Sequence, residues 1–300
     1  MVAWILVARI NANEKQDLRR HVKAAAGRVD MDMCIFGPVR NACLTASTRA
    51  GTPGILNRQV RAMTSIDEGL KQFVRDVGAA VGAQGVHGVL YYGHSHSIVL
   101  GRMMSVGAFC SIVAALNPVV MAFDSCGTGN MAALTEVMLR APSVQYVLAS
   151  PNYHGNRSML DTAAFFRSIL PGPKLYAVRV ANEYNAVEKK PGYQCVVAFD
   201  MQKMPAAVAA MEQYYKSRGR PGVYDKESRL HRDWPYLYDA ARVVRDDEEA
   251  SKQVQGVVVS NCTACKQISS PSFERRPPGV YAGEFKKTLW HKIMQGAGLY

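Results

Sequence analysis

The sequence predicts an α/β protein whose mostly parallel sheet carries helices on both faces. Two observations carry this reading. Short runs of consecutive apolar residues recur along the chain, the signature of strands buried on both sides, and segments of helical period separate them. The 300 residues are 48% hydrophobic, enough to build a core and too apolar for a disordered chain.

In chain order, Trp4 to Ile10 reads as a buried strand, and Leu18, Val22 and Ala25 line one face of a helix. Met31 to Phe36 and Ala42 to Thr48 give two strands, and a Gly-Pro-Gly loop is expected near Gly51. Ser65-x-x-Glu68 is a capping box that opens a helix through Leu70, Phe73, Val74 and Val77. Gly88 to Tyr92 is the next strand, followed by a helix over 104–116 and a strand from Val119 to Phe123.

A helix over 128–140, a strand from Val144 to Ala149, a strand from Gln194 to Phe199 and a helix from Met204 to Lys216 follow. Trp234 to Val244 reads as a helix, Gln255 to Val259 as a strand and Gly283 to Met294 as a closing helix. Nothing resembling a linker divides the chain, so residues 1–300 are expected to form one domain, with the charged, Gly- and Pro-bearing segment 217–232 as its mobile loop.

Lys and Arg number 36 against 24 Asp and Glu, a net charge of +12. The excess permits an anionic partner, nucleic acid or an acidic protein, without demanding one: basic residues occur in scattered pairs such as Arg19-Arg20 and Lys286-Lys287. The seven cysteines, odd in number and thinly spread, fit free thiols in a reducing intracellular compartment. The N-terminus has no basic region ahead of its apolar run and does not read as a signal peptide. Met103 to Phe123 carries no charge, yet Asn117-Pro118 cuts it, so it reads as helix then strand rather than a membrane span, and the protein as soluble.

In open α/β sheets, ligands bind beyond the carboxyl ends of the strands. Two such ends carry chemistry. Val89-Leu90-Tyr91-Tyr92 runs into Gly93-His94-Ser95-His96, and Val119 to Phe123 runs into Asp124-Ser125-Cys126-Gly127. A helix begins straight after Thr128-Gly129. A thiol is mostly protonated at neutral pH, and both an imidazole and that helix N-terminus would lower the pKa of Cys126. The plain alternative is a buried Cys packing as a small hydrophobe beside a structural His.

These blocks resemble the caspase-like cysteine peptidases, and among them the clostripain-like family. Trp4-Ile5-Leu6-Val7 through Asn11-Ala12-Asn13 resembles the family's opening strand and turn. Leu90-Tyr91-Tyr92-Gly93-His94 resembles its histidine block, also similar to that of metacaspases, and Ala122-Phe123-Asp124-Ser125-Cys126 its nucleophile block. Tyr146 to Ser150 resembles the strand that follows. The resemblance implies a caspase-like fold and a cysteine endopeptidase that cleaves polypeptides, with a basic side chain before the cut. Cys126 is then the nucleophile and His94 the proton donor, with His96 as the rival imidazole; backbone N–H groups of Ser95 and Cys126 hold the oxyanion.

Asp124 either lines the specificity pocket or caps the following helix. The chain departs from the family at Ser95, where Gly is usual, and at Pro151, where an acidic residue is common. Those departures keep open a second reading, a catalytically silent caspase-like fold serving as a basic binding or assembly subunit. No Asp-rich loop is present, and neither metal nor cofactor is expected.

The resemblance also implies a self-cleavage in the loop between the His and Cys strands, for which Arg102, the one Lys or Arg between His94 and Cys126, is the candidate, unless it starts the next helix. Cys262 and Cys265 have zinc-ligand spacing without a second pair. The sequons at Asn156 and Asn261 read as coincidence, and Tyr214-Tyr215 and Trp234-Pro235-Tyr236 as core or surface aromatics rather than a base-stacking platform.

Overall fold

A computed structural model of the chain describes residues 3–8, 32–39, 42–49, 52–82, 85–101, 104–152, 158–167, 172–187, 195–218, 222–230, 237–260, 268–275, 279 and 281–300. The helix through Leu18 and Val22, Arg102, Asn156, Trp234 to Tyr236 and the Cys262–Cys265 pair lie outside them.

The strands are β1 (Ala3–Ala8), β2 (Asp32–Val39), β3 (Ala42–Arg49), β4 (Thr52–Ala62), β5 (Gly88–Tyr92), β6 (Ser95–His96), β7 (Val99–Leu100), β8 (Met104–Ser105), β9 (Val120–Asp124), β10 (Tyr146–Ala149), β11 (Val197–Asp200), β12 (Leu237–Asp239) and β13 (Ser272–Glu274). Eight of them form one sheet in the order β11-β10-β9-β5-β1-β2-β3-β4. The strands β2, β1, β5, β9 and β10 run parallel, whereas β3, β4 and β11 pair antiparallel. The sheet is therefore mixed, with the contiguous strands from β10 to β2 parallel, as the sequence predicts, and β3, β4 and β11 added antiparallel. Its physical reason lies in the connections. Only Arg40 and Asn41 separate β2 from β3, and Ala50 and Gly51 separate β3 from β4, so those strands must turn back as hairpins rather than cross over.

Alternation through the central strands divides the core. Val89, Tyr91, Met121, Phe123, Val147 and Ala149 pack on one face with Leu70, Phe73, Val106, Phe109 and Met131. Leu90, Val120, Ala122 and Leu148 pack on the other with Phe165, Tyr176, Val180 and Tyr184. The first face is covered by the helices Ile66–Val81, Val106–Val113, Met131–Arg140 and Met204–Arg218. The second is covered by the helix Pro173–Ala186 and two single 3-10 turns, Met159–Asp161 and Ala164–Phe166. Both faces are thus buried, as a two-sided apolar strand requires.

Local chemistry sets several boundaries. The Ser65 hydroxyl accepts from the Glu68 amide and opens the helix Ile66–Val81 as expected. The Gly-Pro-Gly loop is instead strand β4, because an edge strand tolerates Pro and Gly. The helix expected over Trp234 to Val244 is strand β12 followed by one short helix, Ala240–Val243. Asp239 stops it: this N-cap keeps an extended backbone, and its carboxylate also accepts from Ser269 and Ser270.

The strand expected at Gln255 to Val259 is the end of the helix Glu248–Gln255, leaving a single bridge from Val258 to Phe199. The closing helix is two, Ala282–Lys287 and Leu289–Gly296, divided where Thr288 turns extended to cap the second. Within the segment expected to be mobile, residues 222–230 are tied by Val223 N–H to the Val243 carbonyl at 2.8 Å and by an Asp225–Arg245 ion pair.

Candidate active site

The register of β5 and β9 places the two candidate residues at one rim. The strands are parallel neighbours with Tyr92 opposite Asp124, and His94 and Cys126 each follow two residues later. Neighbouring strands lie about 4.8 Å apart. The Gly93 amide donates to the Asp124 carbonyl at 3.2 Å, which carries the pairing one step past the strand ends. The buried Tyr91 hydroxyl donates to the His94 carbonyl at 2.7 Å. His94 is exposed and Cys126 half-buried, while Ser95, Asp124, Ser125, Thr128 and Asn130 are buried around them.

Ser95 joins the two loops directly. Its hydroxyl donates to the Cys126 carbonyl, and its side chain is 4% exposed. The side chain at this position, where the resemblance leads one to expect Gly, is therefore turned inward and braces the Cys126 peptide.

The turn after Cys126 is held from below. Gly127 takes φ +67°, a left-handed conformation that suits glycine. Its amide donates to the Asn152 carbonyl at 2.7 Å, and the Gly129 amide donates to the Ser150 carbonyl at 2.8 Å. Those two amides are committed to the residues that follow β10. Asn130 closes the turn: Nδ2 donates to the Gly127 carbonyl at 2.5 Å and to Ser97 Oγ at 2.8 Å, and Oδ1 accepts from the Ala133 amide at 2.8 Å.

Two expectations are refined here. The helix expected over 128–140 starts at Met131 with Asn130 as its cap, straight after the Gly127–Gly129 turn that reaches back to β10, so Cys126 does not stand at its N-terminus. The macrodipole fades within a helix's first turn, so it contributes little at Cys126. Nor does Asp124 cap that helix. Asp124 is 4% exposed, and its carboxylate accepts from the Ser158 hydroxyl and, at 3.0 Å, from the Met159 amide.

His96, the rival imidazole, is exposed and stacks on the Tyr281 ring, with centroids 6.3 Å apart and planes at 19°. Sequence reasoning missed Ser97, Asn130 and Asn152. Asn130 alone left a signal, an Asn immediately before an apolar helical run.

The chain has the fold of the clostripain-like (C11) cysteine proteases. It is similar over 97% of its length to an inactive zymogen C11 protease from Parabacteroides distasonis, itself covered over 97%, with a TM-score of 0.67 at 13% identity. A secreted C11 cysteine protease from Bacteroides thetaiotaomicron, iotapain, is similar over 98% of this chain and 99% of its own, with a TM-score of 0.71 at 10% identity. A secreted C11 protease of the same organism in complex with an irreversible peptide inhibitor covers 99% of this chain and 100% of its own, with a TM-score of 0.68 at 10% identity. No protein-family model and no curated protein matches the sequence. Among the described residues, no helix is long and apolar enough to cross a membrane.

Proposed function

We propose that the protein is a cysteine endopeptidase whose Cys126 and His94 form the catalytic pair. The observation that carries this is the Tyr92–Asp124 register, which supports both residues at equal depth beyond adjacent parallel strands. In this reading the Cys126 thiolate attacks the scissile carbonyl, forming a C–S bond. His94 gives its proton to the nitrogen as the C–N bond breaks, and water then hydrolyses the thioester to release acid and restore the thiol. The backbone N–H groups of Cys126 and Ser95 hold the oxyanion. The bond from Ser95 to the Cys126 carbonyl supports this by fixing both peptides relative to each other.

The substrate class is polypeptide, the ligand chemistry of the inhibitor-bound neighbour. A basic side chain before the cut remains the preference to test. Asp124 contributes to that subsite by anchoring the Ser158–Met159 turn beside it, its carboxylate being engaged there. The free thiols of Cys34, Cys43, Cys110 and Cys195 support a reducing compartment, although two of the structural neighbours are described as secreted.

Cleavage of a peptide library by the purified protein, abolished in Cys126→Ala, is the expected result. Equal cleavage by wild type and Cys126→Ala overturns the assignment of Cys126, and no cleavage by either favours a silent fold. We further propose self-cleavage after Arg102. The helix that follows begins at Val106 with Ser105 as its cap, so Arg102 precedes its first turn. A fragment ending at Arg102 that is absent from Cys126→Ala is the expected mass-spectrometric result, and an intact but active chain refutes it.

A further inference from the structure

We propose that Asn130 is a positioning residue that ties the Cys126 turn to the His94 loop and so sets how closely thiol and imidazole meet. The proposal deepens the peptidase reading and rests on it for the roles of Cys126 and His94.

The two candidate residues lie on loops beyond different strands. The strand register sets their depth, and contacts between the loops set their separation. Ser95, next to His94, donates to the Cys126 carbonyl. The following carbonyl of the turn, that of Gly127, accepts from Asn130 Nδ2 at 2.5 Å. The other hydrogen of Nδ2 goes to Ser97 Oγ at 2.8 Å, and Ser97 lies three residues after His94. Two successive carbonyls of the nucleophile turn are therefore held by side chains that belong to the histidine loop or are bonded to it.

Capping alone does not account for Asn at this position. Its Oδ1 accepts from the Ala133 amide at 2.8 Å, which caps the helix Met131–Arg140. Ser or Asp would cap that helix equally well. Neither carries two hydrogens to give, whereas the primary amide does, and each finds its own acceptor here. Asn130 is 1% exposed, so those donors have no water to fall back on.

Both ends of the link are fixed. The helix that Asn130 caps is buried from Met131 to Val137, and the backbone of Asn130 bridges Ser272 of β13. Ser97 is buried and holds φ +55°, a left-handed conformation uncommon outside glycine. Such conformations persist where the surroundings over-determine them. Ser97 turns the β6–β7 hairpin, which begins one residue after His94, so a bond to its hydroxyl fixes the whole histidine loop.

The test is the pH profile of Cys126 alkylation by iodoacetamide from pH 5.5 to 9.5, read by peptide mass spectrometry, in wild type, Asn130→Ser, Ser97→Ala and the double variant. Asn130→Ser keeps a capping oxygen and gives up both amide hydrogens. Ser97→Ala removes the acceptor on the histidine loop. Neither changes a charge. The ionisable groups around the site, Asp124 bonded to Ser158 and Met159, His96 on Tyr281 and Glu274 near Ser97, stay in place.

An imidazole in contact holds a thiol below its free value of about 8.5, and loosening the contact returns the profile toward that value. Each single variant should react about tenfold more slowly than wild type at pH 6.5, and within about twofold of it at pH 9.5, where the thiol is ionised in all. Both act through one bond, so the double variant should be no slower than Asn130→Ser. A purely structural role would lower the urea midpoint and leave the profile where it was.

A profile unmoved in either single variant overturns the proposal, as does a double variant slower than both. Should Asn130→Ser fail to fold, the profile of Ser97→Ala decides alone. Peptide cleavage by wild type, against Cys126→Ala, separates the two readings: no cleavage with moved profiles removes the peptidase and keeps the positioning, and cleavage with unmoved profiles does the reverse.

Discussion

At the scale of single residues, the thiols divide by environment. Cys110 and Cys195 are fully buried, and desolvation raises both, Cys195 to about 12. Cys34 is raised by burial and by the neighbouring Asp32 charge. Cys126 is half-buried at a rim with an exposed imidazole on the adjacent loop. Only the thiolate alkylates, and each pKa unit is tenfold in its population well below the pKa. Iodoacetamide at pH 7 should therefore modify Cys126 at least a hundredfold faster than Cys195 or Cys110 in the folded protein; comparable rates would show that Cys126 is not activated. His94 and Cys126 were legible as strand-end residues because a buried strand is readable from its apolar run. Ser97 and Asn130 were not, since they meet each other, 33 residues apart in the chain, only after folding.

At the scale of elements, the site depends on how closely the Cys126 turn approaches β10. A Cβ on Gly129 would lie 2.7 Å from the Pro151 nitrogen, 2.9 Å from the Ser150 carbonyl carbon and 3.0 Å from Phe199. Two of those neighbours are backbone and cannot swing aside, so the turn itself must move. Gly129→Ala should destabilise the fold by about 1–3 kcal/mol and slow Cys126 alkylation. Gly283→Ala, in the helix Ala282–Lys287 with nothing near its Cβ, should be neutral or stabilise by a few tenths to 1 kcal/mol. Urea midpoints and labelling rates of the two variants check this, and equal behaviour would refute the packing argument. The same distinction explains which elements the sequence revealed. The central strands β5 and β9 and the helix from Ile66 were readable because apolar period and a local cap specify them. Strands β12 and β13 were not, because they hold only three residues each and exist by pairing with one another.

At the scale of the whole molecule, buried ionisable groups oppose one another in setting the pH of greatest stability. Burial lowers His87 and His291, so the unfolded chain binds more protons than the native one below pH 6.5, and these residues cost stability as pH falls. Glu274 and Asp239 are raised by burial, which has the opposite sign. Below the ordinary carboxyl value of 4.5, Glu274 is protonated in both states and carries no penalty. Between 4.5 and about 7 the native state retains the proton that the unfolded chain has released, so stability falls as pH rises, and above 7 the loss is constant. At roughly 1.4 kcal/mol per pH unit, the loss attributable to this one group reaches about 3 kcal/mol as an upper bound. Glu274→Gln has no proton to release. The stability of the variant minus that of wild type should therefore climb from pH 4.5 to 7 and then level off, while the histidine contributions cancel in the difference. Urea unfolding of both proteins at unit steps from pH 4.5 to 8.5 measures this directly. A difference that is constant with pH would place the Glu274 carboxyl in contact with water.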